Sequence, residues 1–424
     1  MTASTPQDQS WERVLWILFG AQLCTAIGFS TINPFLPLFL GHLKSSSHLG
    51  IPTLSGLVYS SQAFTMMLAS PIWGALADRY GRKPMVVRAM IGGGVSILFM
   101  GFVSTAEQLI ALRAIQGLLS GVVSAASALI VSKAPREKIG YCMGILQLGL
   151  WSGVAVGPFI GGVIADHWGF RAAFILTALL LSGAGAAVFW GVQENHVPAA
   201  TRSRGLKSLG NNWRRILSGR GLLPTLTLRF LSSVGRTALL PVLPLFLLVL
   251  LTDQSHAAGF TGMVLGVSSA ASTLSAVYLG KLGDRVGHLT IALVSAIITA
   301  IFFFPQSWAT APWQIMVLYA ITGIGIGGLT PSLSALLARY SSPSDAGSVY
   351  GLDNSITAAG RTVSPLLAAW IVGTFGIRAV FSFTGAIFVF AALIIGILAG
   401  KAGAPPLATK IAAPVEEEIS GDTE

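Results

Sequence analysis

Four arginines, Arg113, Arg229, Arg236 and Arg361, sit inside segments of this chain that are otherwise almost wholly apolar. A guanidinium in such surroundings must face water, a counter-ion or backbone carbonyls, because leaving it unpaired in a low-dielectric medium is costly. Arg229 and Arg236 are seven residues apart, so on a helix they share one face. Two readings are open. The arginines bond to backbone carbonyls and serve packing, or Arg229, Arg236 and Arg361 line a cavity suited to an anionic or amphipathic anionic substrate. No carboxylate falls in the middle of any apolar run; Asp353 comes closest, about one turn in from the end of the eleventh. His42, His48, His167, His196, His256 and His288 all lie in loops or at run ends, and the cysteines are only Cys24 and Cys142. Neither a nucleophile and base nor a metal-ligand cluster is implied, so enzymatic chemistry, a metal and a cofactor are not expected. Gln22, Thr25, Asn33, Gln62, Gln147 and Asn354 are each candidates for an interhelical hydrogen bond. Together with Phe64 and Trp151 they outline a cavity with few polar groups and bulky walls, which suits amphipathic compounds better than sugars.

The elements that must position these residues are membrane helices. The chain of 424 residues is 53% hydrophobic and only 10% charged, against about a quarter charged in soluble domains. Apolar runs of the ~20 residues needed to cross a bilayer recur along it. They predict twelve spans: 14–40, 54–76, 85–103, 109–131, 140–164, 172–192, 222–250, 259–279, 289–305, 312–337, 348–372 and 379–399. The first run is too long for a signal-peptide core, and its leader carries Asp8 and Glu12. The net charge of +10 is concentrated in alternate loops, at Arg79 to Arg88, Lys133 to Lys138, Arg202 to Arg220, Lys281, Arg285 and Arg339. That is the positive-inside bias, which argues against nucleic-acid binding and places both termini in the cytoplasm of a multi-pass protein of the cell membrane.

Sliding the second half back by about 207 positions superposes Pro34-Phe35-Leu36-Pro37-Leu38-Phe39-Leu40 on Pro241-Val242-Leu243-Pro244-Leu245-Phe246-Leu247, and Gly169-Phe170-Arg171-Ala172 on Gly376-Ile377-Arg378-Ala379. The expected fold is all-α, two pseudo-symmetric six-helix bundles over 14–192 and 222–399, with substrate at their interface near mid-membrane. Residues 1–13 are expected to form a cytoplasmic segment, 193–221 a cytoplasmic linker and 400–424 a disordered cytoplasmic tail. Leu206, Leu209, Trp213, Ile216 and Leu217 share one helical face in the linker, which is either a short surface helix or a plain connection.

Between the second and third spans the chain reads Gly74-Ala75-Leu76-Ala77-Asp78-Arg79-Tyr80-Gly81-Arg82-Lys83, and a weaker copy, Gly280-Lys281-Leu282-Gly283-Asp284-Arg285-Val286-Gly287, occurs in the second half. This loop closely resembles the G-x-L-A-D-R-x-G-R-K pattern of the major facilitator superfamily. The resemblance implies a conformational latch built on Gly74, Asp78, Arg79, Gly81, Arg82 and Lys83, with Asp284, Arg285 and Asp353 as second-half partners. Physically, Gly74 lets helices approach and Asp78 can meet the positive N-terminal end of a neighbouring helix.

The fifth span holds Gly144, Gly153, Gly157, Pro158, Gly161 and Gly162, which fits G-x8-G-x3-G-P-x2-G-G and resembles the antiporter helix of the superfamily's twelve-helix drug:proton exporters. The small residues also make a thin helix for tight packing. Arg113 with Gln116 and Gly117 is similar to the family's R-x-x-Q-G element, for which the resemblance implies a part in proton movement; snorkelling to the nearby membrane surface is the alternative. Taken together, these resemblances imply a monomeric secondary exporter of drugs or other amphipathic molecules, exchanging them for protons without ATP. The rival within transport is an exporter of a metabolite, sugar or lipid-like anion held by the second-half arginines. The missing mid-span carboxylate departs from proton-coupled drug exporters, which often carry one.

Overall fold

A computed structural model of the chain describes residues 10–135, 138–194, 221–341 and 346–401. The linker helix expected over Leu206 to Leu217, the residues before Ser10 and the tail beyond Lys401 lie outside the described residues. Regular structure among the described residues is helical, apart from one isolated bridge between Lys44 and Thr105.

Among the described residues, twelve helical elements run up and down in chain order. They are α1 (Trp11–Leu40), α2 (Ile51–Tyr80), α3 (Arg82–Met100), α4 (Ala106–Lys133), α5 (Ile139–Trp168), α6 (Phe170–Gly191), α7 (Leu222–Leu250), α8 (Ala257–Val286), α9 (His288–Trp308), α10 (Pro312–Tyr340), α11 (Ala346–Phe375) and α12 (Ala379–Lys401). Eleven of them are long and apolar enough to cross a membrane, and α2, with Ser55, Ser60, Ser61, Gln62 and Thr65 along it, is the twelfth and most polar. In a bilayer only structures that satisfy their own backbone polar groups can span, which is why apolar runs become helices.

Most helices exceed the spans expected from hydropathy. α2, α5, α8 and α11 are each 30 residues long, about 45 Å at 1.5 Å per residue, against a hydrocarbon core of about 30 Å. These four form the seam between the halves. Three of the spans are broken: α1 by a 3₁₀ turn at Asn33–Phe35, α4 at Ser120–Gly121, where Gly121 has φ +121°, and α7 just after Ala238.

The duplication is visible in detail. Gly81 and Gly287 (φ 100° and 97°) turn the chain between the second and third helices of each half, and Gly169 and Gly376 (φ 81° and 83°) do so between the fifth and sixth. Gln108 and Gln314 each fold back to accept from the backbone N–H groups that open α4 and α10. Gly117 of α4 sits against the Gln62 carbonyl and Thr65 of α2, and Gly327 of α10 against the Ser272 carbonyl and Ser275 of α8. Each half has its own aromatic core, with Phe35, Phe39 and Phe174 in the first and Phe246, Phe303, Phe381 and Phe388 in the second. Large apolar side chains such as Leu179, Trp190, Val249 and Leu393 stand exposed on the outer surface, as lipid-facing residues do.

Candidate substrate cavity and its gates

Between the halves lies a cavity of about 470 Å³ walled by both of them. The first half contributes Asn33, Tyr59, Gln62, Arg113, Trp151 and Val154, and the second Arg229, Arg236, Leu265, Tyr319, Ile326 and Arg361 among others. A wider depression of about 580 Å³ on the outer faces of α9 and α12 is lined by aliphatic residues such as Leu293, Ile297 and Leu393 and, among the described residues, offers no charged group.

One end of the cavity is shut. There α5 meets α8, with Gly162 against the Ala258 carbonyl, Gly262 against the Pro158 carbonyl and the Asp166 carboxylate accepting from the Gly259 N–H at 2.7 Å. On the other side of the seam, Gly56 of α2 packs on the Pro365 carbonyl of α11, and the Ser60 hydroxyl donates to the Thr362 carbonyl. Towards the end that carries the basic loops the same helices part. Added Cβ atoms at Gly74, Gly144 and Gly351 would meet nothing within 4 Å, and Leu68, Leu148 and Leu274 stand more than half exposed. The cavity therefore opens at the basic end.

The glycine-rich face of α5 explains the closure. Gly153, Gly157 and Gly161 fit against Leu23, Ile27 and Thr31 of α1, where Ser30 and Thr31 donate to the Gly153 and Gly157 carbonyls at 3.0 and 3.2 Å. Gly162 with the carbonyl of Pro158 meets α8 instead, so the motif wedges one helix between two neighbours; Gly144 belongs to the open end.

The arginines separate into distinct environments. Arg113 is 2% exposed; its guanidinium donates to the Gln116 side chain at 2.9 Å and lies 5.6 Å from the Tyr59 ring centre. That burial rules out snorkelling. Arg229 donates to both carboxylate oxygens of Asp353, at 2.6 Å each, a bidentate pair between α7 and α11. Arg236 donates to the Thr330 hydroxyl at 3.3 Å. Arg361 makes no hydrogen bond or ion pair among the described residues and, like Arg236, reaches solvent through the cavity. Asp353 is 3% exposed and lies about two turns inside α11, deeper than its place in the sequence suggests.

In the loop after α2, Arg82 donates to the Ala128 carbonyl at 2.8 Å, and the backbone N–H groups of Arg82 and Lys83 donate to the Glu194 carboxylate at 2.9 and 2.7 Å. Glu194 thus caps α3, a role that sequence reasoning missed. Arg79 lies over the Tyr80 ring at 5.3 Å, Asp284 pairs with His288 at 3.2 Å and Arg285 is exposed on the last turn of α8. The Asp78 side chain lies outside the described residues. Asp353 stands apart from this loop and belongs to the Arg229 pair.

Of the other expected cavity residues, Asn33, Gln62 and Trp151 line it. Thr25 is buried and donates to the Ala21 carbonyl within its own helix, and Gln22 is buried with no partner for its amide among the described residues. Phe64, Gln147 and Asn354 are exposed and lie outside the lining. Tyr59, Tyr319 and the stripe Ser268, Ser269 and Ser272 on α8 line the cavity without having been singled out. The stripe's spacing of three and four marks one helical face, so that signal was available in the sequence.

The Major Facilitator Superfamily family model matches residues 18–252 and 225–418. The chain is 36% identical over 388 residues, 91% of its own length and 95% of the relative's, to the multidrug resistance protein MdtG of Salmonella typhimurium. Among solved structures it resembles a bacterial homologue of the human lysosomal transporter Spinster in an inward-facing, occupied conformation, with TM-score 0.75 at 14% identity over 94% of this chain and 98% of that one. The nucleoside transporter NupG gives the same TM-score and identity over 92% of this chain and 100% of that one. With two family-model matches that together span both halves, a doubled six-helix fold and a cavity on the seam, the chain belongs to the Major Facilitator Superfamily and is a multi-pass membrane transporter rather than an enzyme.

Proposed function

We propose that the protein exports amphipathic small molecules across the cell membrane by alternating access, in exchange for protons, as a monomer with its basic end and both termini in the cytoplasm. The observation that carries this reading is the cavity on the seam, open at the basic end and closed at the other by glycine contacts between α5 and α8 and between α2 and α11. A rocking motion that exchanges which end is closed would move a bound molecule from one side to the other. Likeness to a multidrug resistance protein over nearly the whole chain supports export of drug-like compounds. The wall chemistry, with Trp151, Leu265, Tyr319 and Ile326 beside scattered hydroxyls, suits amphipathic bodies.

In this reading Gly74, Asp78, Arg79, Gly81, Arg82 and Lys83, with Asp284 and Arg285, form the latch that closes the basic end in the alternate state. Arg113 and Gln116 belong to the proton path. The test is purified protein in liposomes loaded to impose a pH gradient. Ethidium should move against its own gradient only while the pH gradient stands; movement indifferent to that gradient refutes the exchange.

A further inference from the structure

Among the described residues the cavity is lined by four arginines and by no aspartate or glutamate. Two of the four are already engaged, Arg113 by Gln116 and Tyr59 and Arg229 by Asp353. The other two carry donors with almost nothing to bond. Arg236 has one hydroxyl at 3.3 Å, and Arg361 has no partner among the described residues. Each guanidinium offers five N–H donors in a planar fork that matches a carboxylate or phosphate.

While the cavity is open, water satisfies both groups. Alternating access, on which this inference rests, requires the cavity to close around its cargo, and closure strips that water. Two like charges left unpaired in a sealed, low-dielectric space oppose closure, whereas a bound anion neutralises them and favours it. We propose that Arg236 and Arg361 form an anion-recognition site that selects amphipathic organic acids, gripping the acidic group while the apolar body lies against Trp151, Leu265, Tyr319 and Ile326. Asp353 sets the strength of that site by occupying Arg229. Without its carboxylate a third guanidinium is released towards the same space.

The probes are dansylglycine, its uncharged amide and the cation ethidium, used with the purified full-length protein. Wild type should bind dansylglycine at least about tenfold more tightly than the amide. Losing one charge-assisted contact in Arg361→Gln or Arg236→Gln should weaken dansylglycine about 10- to 100-fold and leave the amide unchanged. Arg361→Lys, which keeps the charge and loses the fork, should fall between, and unchanged amide binding reports an intact cavity in every variant. Asp353→Asn should tighten dansylglycine. No preference for the acid in wild type, no binding of either probe, or a preference that survives both glutamine variants overturns the proposal. Ethidium export without an acid preference removes the anion site and keeps the export reading. An acid preference without outward transport of any probe does the reverse.

Discussion

Replacing Asp353 with Ala strands Arg229 in the wall of the cavity, and the cost can be worked from the geometry. The pair has two hydrogen bonds of 2.6 Å, with the aspartate side chain 4% and the arginine side chain 20% exposed. Removing one member of a buried, bidentate ion pair typically costs about 3–5 kcal/mol, because the survivor keeps its desolvation penalty and loses its partner. Arg229 retains some access to cavity water, so the lower end, about 3 kcal/mol, is expected. Arg229→Ala should cost a similar amount, since it leaves a carboxylate with almost no access to solvent. The double variant removes both charges and should cost little more than either single one, giving a coupling of about 2 kcal/mol or more. Unfolding of the purified protein by titration with a denaturing detergent, monitored by tryptophan fluorescence, measures all four corners of the cycle. Single variants that each cost under about 1 kcal/mol and add in the double would refute the reasoning. Arg229 and Asp353 would then not depend on each other.

Three further outcomes are expected. Gly161→Ala places a Cβ onto the Thr31 carbonyl, a backbone atom that cannot step aside, so it should cost about 1–3 kcal/mol and most of the ethidium export; Gly144→Ala, with open space around it, should stay within about 0.5 kcal/mol. Equal effects at the two positions would remove the packing account of the motif. Asp166→Ala deletes the acceptor for the Gly259 N–H at the start of α8, and should loosen the closed end. An impermeant maleimide added on the side opposite the basic end should then label Asn33→Cys faster in a background lacking Cys24 and Cys142, and an unchanged rate would show that the contact does not hold the gate. Glu194→Ala leaves the first N–H groups of α3 without their carboxylate and should destabilise the protein by about 1–2 kcal/mol in the same unfolding assay; no loss would show the cap to be dispensable.

The spans were legible because membrane helices obey a local rule: an apolar run that satisfies its own backbone bonds needs no knowledge of its neighbours. The duplication was legible for a related reason. Its signs, Gly81 and Gly287, Gly169 and Gly376, are turns whose positive φ only glycine adopts readily, so the residue type itself records the geometry. The thinness of α5 could also be read from its glycines. Which neighbour each glycine meets could not, because that depends on how α1, α5 and α8 are rotated about their axes. The same limit hid the site. Arg229 and Asp353 are 124 positions apart, and nothing local to either says that α7 and α11 bring them together. Along the chain, Arg229, Arg236 and Arg361 were three equivalent cations. Among the described residues, tertiary packing gave a carboxylate to one, a single hydroxyl to the second and no partner to the third, and a guanidinium's chemistry is decided by the partners that reach it.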